Sequence, residues 1–313
     1  MRYAIGFAAM FAVCLLGVAI LADAQNAAPP ELKAARAKAV DFKAELTDGW
    51  KAAEPVTVKT AHRPGEPGPE VELRALHDGE HVYIMARWKD ATKSDTKKAW
   101  VFKAGAWTKA EGDEDRVALA FGGNAAGFAE KGCGALCHNG EMRTTDKAQV
   151  ADLWHWKAGR GGQHGECDDQ HFAGGDKGRP DDAGKSAYET NGDKEGKAPL
   201  WVWKEGADIK GAFNADSSVE LQGNHEFPEG YSVPSVRLRA PTDSRGDVKA
   251  VSNWHDGMWT VVLKRKLDTG NADDVQFKAG ESALFAVATL DNKGVDKGTD
   301  HAKSGVVKLA LAK

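Results

Sequence analysis

Apolar and polar positions alternate along this chain in short runs. Residues 71–76 and 81–88 alternate on either side of His77-Asp78-Gly79-Glu80. An Asp-Gly pair between two such runs predicts a β-hairpin. A second hairpin is predicted where Asp256-Gly257 separates 248–254 from 259–265. Further strands are expected at 116–121, 219–222, 235–238, 283–290 and 306–311. Helical periods are few, and only a short helix near 31–42 is expected. Many short strands with turn signals between them predict an all-β, immunoglobulin-like β-sandwich with short helices and long loop insertions. The stretch 157–197 is crowded with Gly and Asp and reads as a polar loop insertion over the surface. One domain is expected over residues 25–313.

The N-terminus follows a different pattern. Met1-Arg2 opens an almost unbroken apolar run to Leu21, and Ala22-Asp23-Ala24 has the small-x-small form of a cleavage site. Residues 1–24 therefore read as an export signal, with Gln25 as the new N-terminus. A retained anchor is the competing reading, since the run is long enough to span a bilayer. Export to the periplasm is expected, with no membrane span after signal cleavage. Composition adds exclusions. The formal net charge is −4 over 313 residues, so bulk nucleic-acid binding is not expected. Thirty-five Gly and ten Trp fit a turn-rich β protein with aromatic pockets. No Ser/His/Asp order, phosphate-cradling Gly loop or H-E-x-x-H occurs. The pairs Asp168-Asp169, Asp181-Asp182 and Asp273-Asp274 read as solvated loops or turn caps.

The cysteines carry the candidate chemistry. Cys133, Cys137 and His138 form C-x3-C-H, one residue longer than the C-x2-C-H of covalent haem attachment. In that signature two thiols add to the haem vinyl groups and the adjacent His ligates iron. Gly132 and Gly134 give the longer loop its flexibility. The expected cofactor is one covalent haem c. A Cys133–Cys137 disulfide and a zinc site from Cys133, Cys137, His138 and Cys167 are the alternatives. Cys167, between Glu166 and Asp168, is expected to have a raised pKa and to be a poor nucleophile.

The order of segments resembles the haem-binding subunit family of ethylbenzene dehydrogenase. The resemblance rests on Ala86-Arg87-Trp88-Lys89-Asp90, on residues 113–121, on the haem-type motif, and on Asp152-Leu153-Trp154-His155-Trp156-Lys157. The hairpin through Trp259, Phe285-Ala286-Val287-Ala288 and the strand after His301 complete it. It implies a sandwich enclosing a haem pocket, with a first iron ligand near His138 and a second just before the last strand, at His301. Lys303, His155 and Met142 are the rivals for that second position. Trp154 and Trp156 are candidate walls of the cleft. The function implied is a monohaem c-type cytochrome that carries electrons without being an enzyme. Its partners would be redox proteins, a molybdenum oxidoreductase or a membrane quinol-oxidising cytochrome. Two other readings stand beside it: a haem-free sandwich module that binds carbohydrate through Trp-rich surfaces, and a haem reductase with an open iron site.

Overall fold

The computed structural model describes residues 28–313 except 138–141, 175–177, 224 and 293–300, and of Cys137 it describes the backbone alone. The export-signal segment 1–24 and His138 lie outside the described residues. Two β layers face each other. The first runs Asp168–Ala173, Val150–Lys157, Arg116–Phe121, Ser282–Leu290, Val307–Leu311, and the second runs Val71–His77, His81–Lys89, Met258–Lys266, Lys249–His255. Glu31–Arg36 belongs to both layers. Its residues Glu31–Ala34 pair in parallel with Val307–Leu311, and Ala34–Arg36 pair in parallel with Val71–His77. The segment expected as a helix near 31–42 thus begins as a strand. Leu32 and Ala34 are buried while Glu31 and Lys33 are exposed, a period of two that only extended backbone satisfies. At the far edge, the Cys167 amide donates to the Val248 carbonyl at 3.3 Å and ties the layers again.

The all-β sandwich expectation holds, and strict alternation is its cause. Val117, Leu119 and Phe121 point between the layers, as do Trp154, Trp156, Phe285 and Val287. Trp88, Trp156 and Trp259 meet at centroid distances of 5.0 to 6.2 Å in the middle of this core. Fully burying side chains of this size is worth about 1.5–3 kcal/mol each. Both predicted hairpins form. Asp256 and Gly257 have φ of +49° and +71°, the consecutive left-handed pair that a tight two-residue turn needs.

The 157–197 stretch is not only a surface loop. Its residues Asp168–Ala173 form an edge strand of the first layer, antiparallel to Val150–Lys157. Burial of its polar residues is offset by partners distant in sequence. Asp168 contacts the Lys157 ammonium, lies 3.3 Å from the Arg245 guanidinium and accepts from the Tyr188 hydroxyl at 2.9 Å. Beyond this edge, short strands within 100–109 and 188–238 build a side lobe. Asn191 pins the lobe: its amide donates to Trp201 and Pro234 carbonyls and its oxygen accepts from the Leu200 and Trp201 amides, all at 2.8–3.0 Å.

Candidate functional site

Alternation that sends large side chains between the layers sends small ones to the outer face of the first layer. The register aligns His155 with Ala118, Ala118 with Ala288, and Ala288 with Lys303. The neighbouring row holds Leu153, Ala120 and Ala286. A flat, alanine-rich face results. It is covered by two one-turn helices, Phe128–Lys131 and Gly134–Cys137, and the turn between them, which contribute Phe128, Leu136 and, from the turn, Cys133 to one buried cluster with it. Gly122 makes the cover possible, because a Cβ there would stand inside the Phe128 ring.

This face gathers part of the set named from sequence. Cys133 is 7 % exposed within the cluster, and burial pushes its thiol pKa up against the opposing pull of Lys303. Met142 packs on the edge of the cluster with a left-handed φ of +49°. His155 is buried, and neither ring nitrogen has a hydrogen-bond partner among the described residues. Burial first, then the charges of Lys157, Arg179, Arg116 and Arg160, holds His155 well below the usual imidazole range. His301 immediately precedes the Ala302–Ser304 strand, which pairs with Ser282–Leu290. Trp154 and Trp156 are not on this face. They point into the core between the layers, the opposite side from His155. Cys167 also lies in that core, apart from the Cys133 cluster, so the four-ligand zinc alternative is not assembled. Its thiol is pushed well up by burial first and then by Asp169 and Asp168.

A second place was not singled out from the sequence. In the side lobe, Phe102 and Trp107 sit on the two strands of the 100–109 hairpin, and Phe227 and Tyr231 come from the loop that crosses it. The four rings pack edge to face, tilted or stacked at centroid distances of 4.9 to 6.1 Å. All four are half-buried. Lys103, His225, Glu226 and Glu229 stand exposed around them. The Glu229 carboxylate accepts from the Ala104 amide at 2.9 Å and so fixes the hairpin tip against the crossing loop. Glycine-punctuated aromatics in 102–107 and 227–231 were the available signal. Nothing local said that the two runs would meet.

The layers, their register and the covered outer face define a two-layer β-sandwich protein. The chain belongs to the ethylbenzene dehydrogenase family, whose model matches residues 47–302. No curated protein matches. Among solved structures, the chain is similar to a putative carbohydrate-binding protein from Bacteroides uniformis, with 10 % identity, TM-score 0.41, and coverage of 90 % of this chain and 99 % of that one. It is also similar to a family 9 carbohydrate-binding module from Caldicellulosiruptor kristjanssonii in complex with cellotriose, with 9 % identity, TM-score 0.36, and coverage of 90 % and 95 %. The glucose complex of a family 9 module from the same organism gives 7 % identity, TM-score 0.37, and coverage of 90 % and 97 %.

The expectation of a monohaem electron carrier is corrected here. The three solved structures named above are of carbohydrate-binding proteins. In the chain itself, the Cys133 thiol is enclosed by apolar side chains, and both indoles assigned to a haem cleft face away from it. The added residue in C-x3-C-H departs from the attachment signature in the same direction.

Proposed function

We propose that this chain is a haem-free, non-catalytic binding module that works outside the cytoplasm and holds a carbohydrate on the aromatic patch of its side lobe. The observation that carries the reading is the group of four half-buried rings, Phe102, Trp107, Phe227 and Tyr231, bordered by exposed charged and polar side chains. Sugar rings offer C–H faces that pack on aromatic faces, and their hydroxyls need donors and acceptors at the rim. Glu226, Glu229, His225 and Lys103 supply both. The rings are held by the hairpin and by the backbone bonds that join Phe102 to Gly230 and Tyr231, both at 2.8 Å, so little ordering remains to be done on binding. The leader-like residues 1–24 support a place outside the cytoplasm, where polymeric carbohydrate is met.

The test is calorimetric titration of the mature protein with a panel of glucan, xylan and chitin oligosaccharides. Binding to at least one is expected, and Trp107→Ala is expected to weaken it about 30-fold, the loss of a central aromatic anchor. The melting temperature should fall by no more than a few degrees, since the ring lies outside the main core. No heat with any member of the panel at millimolar concentration overturns the reading.

A further inference from the structure

The aspartate pairs expected to be solvated are largely buried, and members of two of them, Asp169 and Asp274, converge with Asp152. Asp152 on the 150–157 strand and Asp169 on the 168–173 strand both point between the layers at the edge of the core. Asp274 comes down on them from the loop that leads to Phe277. One carboxylate oxygen from each of Asp152, Asp169 and Asp274 lies within 4.8 Å of the others, and all three side chains are buried. The contacts already made use only some of the oxygens. Asp152 Oδ2 accepts from the Val275 amide at 3.2 Å and the Trp154 indole at 3.3 Å and meets the Arg265 guanidinium. Asp274 Oδ2 accepts from the Thr269 hydroxyl at 2.5 Å. Three oxygens have neither a hydrogen bond nor an ion pair among the described residues, Asp152 Oδ1 and both oxygens of Asp169, while Asp274 Oδ1 makes no hydrogen bond and meets only Arg265. Asp169 is 0 % exposed. A fully buried carboxylate with neither oxygen satisfied is costly unless something charged meets it.

The charge count says what is missing. Three carboxylates stand against one guanidinium, that of Arg265, whose Nη1 is 3.3 Å from Asp274 Oδ1 and in contact with Asp152. With all three ionised the imbalance is two negative charges, and the open donors are all hard oxygens. We propose that Asp152, Asp169 and Asp274 hold a calcium ion that ties the edge strand and the 267–277 loop to the first layer. Calcium fits better than magnesium. It accepts many carboxylate oxygens in irregular arrangements, whereas magnesium demands near-octahedral geometry and keeps several waters. An all-oxygen set also disfavours zinc and copper. The neighbouring group His171, Asp182 and Asp273 is differently engaged. Asp182 Oδ1 meets His171 Nδ1 at 2.5 Å, and Asp273 accepts from the Ser244 hydroxyl at 3.0 Å and the Ala183 amide at 3.3 Å.

The test uses the full mature protein stripped with EDTA and dialysed. Elemental analysis after re-equilibration with calcium should return one ion per chain. The melting temperature should rise by about 5 °C or more at a hundredfold excess over Kd. Asp169→Asn should melt no lower than the wild type in EDTA, because the neutral amide relieves like-charge crowding. It should lose at least tenfold in calcium affinity and most of the thermal increment. Asp274→Asn provides a second reading if the first variant folds poorly. Stripped wild type that takes up no calcium at 1 mM and melts at an unchanged temperature overturns the site. So do both asparagine variants responding to calcium as the wild type does.

Discussion

At the scale of single residues, the first hairpin turns on Asp78. Its carboxylate accepts from the Glu80 amide at 2.9 Å, the His81 amide at 2.7 Å and the Tyr83 hydroxyl at 2.8 Å. Burial acts to raise its pKa, but the three donors together with the nearby His81 outweigh it and hold the group at about 2. The unfolded carboxylate titrates near the ordinary value for aspartate, so the folded state binds the proton less readily than the unfolded one. The stabilisation is therefore fully present above about pH 4 and is lost as pH falls toward 2. Its size is about 2 kcal/mol, with a modest discount for the 22 % of the side chain that meets solvent. Asp78→Asn should accordingly cost about 2 kcal/mol in urea unfolding at pH 7 and almost nothing at pH 2. A cost that is the same at both pH values would remove the carboxylate charge from the explanation. Asp-Gly marked this turn in the sequence. The Tyr83 hydroxyl that completes the cap was not marked, since it depends on which face of the strand residue 83 occupies.

At the scale of elements, what was legible followed period two. The 116–121 strand announced itself because every second residue, Val117, Leu119 and Phe121, is large and apolar. The 31–36 strand did not, because Leu32-Lys33-Ala34-Ala35 carries strong helix formers, and only pairing on both sides imposes extension. The 168–173 strand was hidden for the opposite reason. Its Asp and Gln residues are buried by partners such as Lys157 and Arg245, which no local window contains. The alanine-rich outer face was invisible in the same way, being assembled from three strands far apart in sequence. Its cover depends on Gly122, where the Phe128 ring occupies the space of a side chain. Gly122→Ala should displace the ring and cost about 1–3 kcal/mol, as overpacking does. Phe128→Ala should cost about 3–5 kcal/mol alone. Made together, the two changes should cost clearly less than their sum, since the clash disappears with the ring. Strict additivity in a double-mutant cycle would mean that Gly122 matters for its backbone and not for the contact.

At the scale of the whole molecule, the two layers are joined by one strand that each needs. Glu31–Arg36 fills the edge of the first layer beside Val307–Leu311 and the edge of the second beside Val71–His77. Leu32 and Ala34 are fully buried in the core that both layers share. At the far edge the backbone pairing is shorter, one bridge between Glu166 and Lys249 in which the Cys167 amide donates to the Val248 carbonyl at 3.3 Å and the Ala250 amide to the Gly165 carbonyl at 3.0 Å. Removing residues 28–36 would uncover two sheet edges at once and open a slot along the core, whereas shortening one side chain leaves the pairing intact. Leu32→Ala should therefore lower stability by about 2–5 kcal/mol and keep a single cooperative melt. Deletion of 28–36 should abolish the cooperative transition and the near-ultraviolet signal of the Trp88, Trp156 and Trp259 group, because those indoles lie where the layers meet. Calorimetry and circular dichroism of the two variants distinguish the cases. A deletion variant that still melts in one sharp step, only a few degrees below the wild type, would show that the layers hold each other through side chains alone and that the shared strand is dispensable.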